Sequence, residues 1–184
     1  VDLGVRNDSV LRSFIRPERY PLDMLQADEP LAHYTQPLRT TLYGLVPRLG
    51  EDKDGRFDFD VSGRLVGNWF HQSLPVGPGT FDPEGWPKHL AFVYDMIDPS
   101  LIRISIGGTL SMWGLYSVQP GAKAPESVSI ADGRVAYRLG YSFGFQQGLL
   151  IVEMLDDQTL RVQTFQGLQD ADANFTEDAQ VYVR

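Results

Sequence analysis

From residue 63 onward, apolar and polar residues alternate with period two. In "LAFVYDMI" (90–97), Leu90, Phe92, Tyr94 and Met96 share one face. In "LIRISIGG" (101–108), Ile102, Ile104 and Ile106 share a face opposite Arg103 and Ser105. Such alternation predicts strands with one dry side and one wet side. "SVSIADGRVAYRLGY" predicts a hairpin turning at Asp132-Gly133, and "GLLIVEMLDDQTLRVQTFQG" a second turning at Asp156 to Thr159. "AQVYVR" (179–184) predicts a last strand, and Gly107-Gly108 a bulge or bend. The count is seven or eight antiparallel strands over about 120 residues, without a βαβ unit. The fold class predicted is mainly β: an up-and-down barrel or a meander sandwich. Pairing of the first and last strands would remove both sheet edges.

The pattern changes before residue 63. "SVLRSF" (9–14) predicts one helical turn, which Pro17 and Pro21 prevent from growing. The main helix expected spans Thr35 to Val46. Thr35 is its N-cap, Pro37 lies in its first turn, and Leu38, Leu42 and Leu45 form one face to pack on a sheet. The organisation predicted is an irregular, partly helical extension over 1–62, packed on a β domain over 63–184. The Pro/Gly-rich stretch 74–88 predicts a long loop, long enough for a lid or a contact surface.

Composition narrows the functions. The net charge of −8 over 184 residues argues against nucleic acid and anionic membrane as partners. The chain has no cysteine, which excludes disulfides, thiolate metal sites and a cysteine nucleophile. No stretch approaches the roughly 18 apolar residues of a membrane span. The opening "VDLGVRND" reads as an interior piece of a longer, processed chain.

"GRLVGNWF" (63–70) contains Gly67-Asn68-Trp69. This G-x-W resembles the first barrel strand of the calycin superfamily of lipocalins, fatty-acid-binding proteins and avidins. The resemblance implies a barrel that holds a small apolar ligand. It also implies an arginine or aromatic residue of the last strand near the tryptophan, here Tyr182 or Arg184 of "VYVR". Fatty-acid-binding proteins place two helices after the first strand, where this chain has its proline-rich loop. A second resemblance lies in "VDLGVRND", which looks like the final strand of a lysostaphin-type zinc endopeptidase fold. Asp2 and Leu3 fall within that pattern, and no metal-binding histidine remains. Other stretches are similar to C-terminal regions of secreted bacterial proteins, which implies secretion and gives no catalytic residue.

Inward-facing aromatic residues would either line a cavity or fill the core. The candidate ligand-binding set is Trp69, Phe92, Tyr94, Tyr116, Tyr137 and Glu153, the last a carboxylate in an otherwise apolar strand. "YSFGFQQG" (141–148) adds Tyr141, Phe143 and Phe145 at a rim or subunit contact. Asp52, Asp54 and Asp58 around Gly55 are candidate calcium ligands, although the glutamate that closes an EF-hand loop is absent. His71 and His89 could meet at one barrel end with Asp95 or Glu84, giving an acid/base or metal site. There is no G-x-S-x-G elbow, phosphate-binding loop or dinucleotide fingerprint. The function expected is non-catalytic: binding of a small apolar molecule, or structural and assembly contacts with other copies. No cofactor is expected beyond possible calcium. The alternatives are an enzyme at the barrel mouth, or an accessory domain of a cell-wall-associated, peptidase-like protein.

Overall fold

The computed structural model describes residues 4–76, 85–140, 147–168 and 170–184. Asp2, Leu3, Glu84, Tyr141, Phe143, Phe145 and the middle of the 74–88 stretch lie outside the described residues.

A two-residue ladder comes first, β1 (Val5–Arg6) antiparallel to β2 (Ala27–Asp28). Between them lie a 3-10 turn, Pro17–Arg19, and a single α-turn, α1 (Leu22–Leu25). The helical turn expected at 9–14 is not formed. The Asn7 side chain accepts from the Ser9 N–H, and the Arg12 N–H reaches the Leu25 carbonyl. These bonds divert the backbone from an i→i−4 ladder. Helix α2 spans Leu38–Leu45, with Pro37 rather than Thr35 at its N-cap. None of its residues is buried, and it lies against the 3-10 turn Pro30–His33. Leu38 and Leu45 stay exposed.

The rest is one curled antiparallel sheet. Its strands are β3 (Gly67–His71), β4 (His89–Tyr94), β5 (Ile102–Ile106), β6 (Gly114–Ser117), β7 (Arg134–Leu139), β8 (Gly148–Asp156), β9 (Thr159–Gln166) and β10 (Gln180–Val183). Their order in the sheet is β6-β5-β4-β3-β10-β9-β8-β7, so each consecutive pair except β6 and β7 forms a ladder. The first and last barrel strands meet, with His71 opposite Tyr182 and Phe70 opposite Val183. At the far seam, Val118 bridges Leu139, the Gly140 N–H donates to Ser117 and the Gln119 N–H donates to Arg138. The result is a nearly closed eight-stranded up-and-down barrel rather than a sandwich of two sheets.

Alternation and register together place the core. Trp69 faces Leu90, Leu90 faces Ile106, and Phe92 faces Ile104. On the other half Tyr137 faces Leu150, Val152 faces Val162, and Leu160 faces Tyr182. All these side chains belong to one buried cluster. A second cluster sits on the outer wall, where Phe14, Tyr20 and Leu74 cover Phe70. The N-terminal segment is held there by two aspartates. Asp58 accepts from the Ser13 N–H at 3.0 Å, and Asp60 from the Ile15 N–H at 3.2 Å.

The hairpin at Asp156 to Thr159 forms as expected, β8 pairing with β9. The one expected at Asp132-Gly133 does not. Ser129 and Asp132 form a reciprocal capping box around the 3-10 turn Ile130–Asp132, so the aspartate closes a turn ahead of β7 instead of joining two strands.

Candidate functional site

Trp69, Phe92, Tyr116 and Tyr137 are buried within the barrel's single packed cluster, each 1% exposed or less. They share that cluster with the surrounding aliphatic side chains, and Phe92 and Tyr137 lie with ring centroids 5.8 Å apart. The Tyr137 hydroxyl donates to the Lys123 carbonyl and the Tyr116 hydroxyl to the Trp113 carbonyl. Tyr94 stands at the end of β4, where its hydroxyl donates to Glu126. Burial and that carboxylate push its phenol well above the usual tyrosine range. Glu153 lies on the outer face, in register with Arg134 on one side and Arg161 on the other.

The base of the barrel is organised by Arg184. Its guanidinium sits over the Trp69 ring, 4.2 Å from the centroid. It donates to the Arg64 and Val66 carbonyls at 2.6 and 2.7 Å, and Asp60 lies 3.7 Å away. The indole N–H of Trp69 donates to the Leu65 carbonyl at 2.8 Å. Asp60 also accepts from the Asn68 N–H at 2.8 Å. Gly67 makes this approach possible: its φ is +110°, and a Cβ there would stand 2.7 Å from the Asp60 Cα. Burial pushes the Asp60 carboxyl up, opposed by these N–H donors and by Arg184.

Among the described residues, His71, His89 and Asp95 are not brought together. His71 lies opposite Tyr182 and packs edge-on to its ring, so it faces inward at its end of the barrel. His89 lies opposite Phe70, on the outer face. Asp95 follows the other end of β4, bonded to the Ile97 and Asp98 N–H groups and paired with Arg103 at 2.8 Å. The acidic loop also disperses. Asp52 accepts from the Gly55 N–H, Asp54 from the Tyr43 hydroxyl, and Asp58 from Ser13 and Arg56. Among the described residues, no three His, Asp or Glu side chains converge as metal ligands.

An apolar cleft on the outer wall was not anticipated from the sequence. It measures about 410 Å³ and gathers Trp86, His89, Ser105, Trp113 and Leu115 around Gly107 and Gly108. Trp86 and Trp113 are 63% and 59% exposed, an unusual outlay of indole surface. The 3-10 turn Trp86–Lys88 carries the first tryptophan, and Gly107 admits that turn against β5. A Cβ on Gly107 would stand 2.7 Å from the Pro87 carbonyl carbon. His89 fixes the polar side. Its Nδ1 contacts the Trp86 carbonyl and must carry the proton. Its Nε2, 2.9 Å from Ser105 Oγ, then accepts from that hydroxyl. Burial holds the imidazole below the usual histidine range, so the neutral ring with this tautomer is favoured. Ser105 Oγ keeps lone pairs for a donor, beside walls that are otherwise apolar. The available signal was two tryptophans next to glycine or proline outside the strand pattern, in "GWP" and "MWG".

No protein-family model matches the chain, and no curated protein or solved structure matches it.

Proposed function

We propose that this chain is a non-catalytic, calycin-like barrel protein that binds a small apolar molecule in the outer cleft between Trp86 and Trp113, and that it works outside a bacterial cell. The calycin-like part is supported by the strand order, the pairing of first and last strands, and Arg184 over the G-x-W tryptophan. The single observation that carries the binding reading is the cleft. Its volume of about 410 Å³ and its paired exposed indoles suit a drug-sized apolar ligand with one hydrogen-bond donor for Ser105. The barrel aromatics are buried in one cluster with the aliphatic side chains, which favours the wall over the interior. The extracellular setting rests on the sequence resemblance to secreted bacterial proteins.

The test is a fluorescence titration with N-phenyl-1-naphthylamine, an uncharged apolar probe. Saturable binding is expected, weakened at least tenfold by either Trp86→Ala or Trp113→Ala and unaffected by Val152→Ala in the barrel. Loss of binding with Val152→Ala alone, or no saturable binding at all, would refute the reading.

A further inference from the structure

Arg19 lies at the end of the 3-10 turn Pro17–Arg19 and is 1% exposed. Its Nε and Nη1 are buried without a hydrogen-bond partner. Arg184, the other arginine with unpartnered buried nitrogens, has Asp60 at 3.7 Å and two backbone carbonyls. Arg19 instead has the face of Phe70, its guanidinium 4.9 Å from the ring centroid, and no ion pair among the described residues. Its charged neighbours are one cation and one carboxylate. Arg16 is close enough to repel it, and the neighbouring carboxylate, Glu18, is already held by Arg16 at 2.5 Å.

Taking a guanidinium out of water is costly unless its donors are met. A ring face returns only part of that cost. The shortfall calls for an acceptor that brings negative charge. The geometry points to Arg19 as an anion-binding position that takes a carboxylate, either from a small acid or from the head of an amphiphile. A single negative charge neutralises one buried guanidinium. A doubly charged phosphate would leave an excess charge in the same apolar surroundings, close to Glu18. The turn that carries Arg19 also walls a mostly apolar cleft of about 580 Å³, lined by Pro17, Tyr20, Pro21, Leu22, Leu25 and Val76, with Glu18 as its charged residue and Arg19 just behind the wall. That cleft gives room for an apolar tail. The position lies on elements separate from the tryptophan cleft and does not depend on the reading of that cleft.

The experiment follows the arginine Nε–H resonances of ¹⁵N-labelled protein during titration with acetate, decanoate and decanol at fixed ionic strength. The Arg19 signal is the one missing from Arg19→Lys. It is expected to shift saturably with at least one of the two acids and to ignore decanol. A tenfold or greater gain from acetate to decanoate identifies an amphiphile; comparable affinities identify a small carboxylate. In parallel, the acid that binds should raise the Tm of the wild type and not of Arg19→Gln. An Arg19 resonance that ignores both acids, or that moves equally with decanol, overturns the proposal. That readout uses the wild-type protein, so it stands even where Arg19→Gln fails to fold.

Discussion

The Arg184 guanidinium covers the Trp69 indole at 4.2 Å and ties β10 to the stretch that leads into β3 through the Arg64 and Val66 carbonyls. One side chain thereby closes the base of the barrel across the seam between its first and last strands. Removing it strips Trp69 of its cover and leaves Asp60 buried without its cation. Arg184→Met is therefore expected to lose about 3–5 kcal/mol of stability in urea unfolding. A loss below about 1 kcal/mol would mean that the residue is a bystander.

Gly67 makes a sharper prediction. A methyl there meets the Asp60 Cα at 2.7 Å and its nitrogen at 2.9 Å, on a backbone already at φ +110°. Gly121 has a similar φ of +88° and open space around it. Gly121→Ala should cost about 1–2 kcal/mol from the backbone alone. Gly67→Ala should cost clearly more, through the displaced Asp60 and the Ile15 and Asn68 donors that it holds. Chemical denaturation of the pair separates conformation from collision.

Part of this base is legible in the sequence. Gly67, Trp69 and Arg184 stood out because glycine and tryptophan sit next to a regular period-two meander that ends in "VYVR". The strands were legible wherever one face is dry, as with Ile104 and Ile106. Reading failed where side chains compete for the backbone. Asp132 resembles a hairpin residue but caps Ser129, and Asn7 turns the chain where a helical start was expected. The histidines are one register position from sharing a face: His89 opposes Phe70, so it points away from the side that His71 occupies. The cleft was hidden for a different reason. Trp86 and Trp113 are far apart in sequence and line one cleft only because β4 pairs with β5, β5 pairs with β6 and Gly107 admits the Pro87 turn.

His89 should make stability depend on pH. Burial lowers its pKa in the fold, so the unfolded chain binds the proton more tightly. Stability from this group is complete above the ordinary histidine value of about 6.5 and declines as pH falls below it. Urea unfolding at pH 7.5, 6.5 and 5.5 should show a steeper decline for the wild type than for His89→Gln. Parallel declines would contradict a buried neutral imidazole.

The same protonation would affect the cleft. A charged His89 can no longer accept from Ser105, and the hydroxyl must reorient. Affinity for an apolar donor ligand should therefore weaken from pH 7.5 to 5.5 in the wild type and stay level in His89→Gln. Equal pH responses in the two proteins would remove His89 from the binding site.

The location of the ligand can be measured directly by intermolecular NOEs from bound N-phenyl-1-naphthylamine to methyl-labelled leucine and valine. Leu115 lines the cleft and is 42% exposed, whereas Leu150 and Val152 lie inside the barrel at 0% and 1%. Contacts to Leu115, with silence from Leu150 and Val152, are the result expected for a site on the wall. Contacts to Leu150 or Val152 would place the ligand in the barrel and contradict the account.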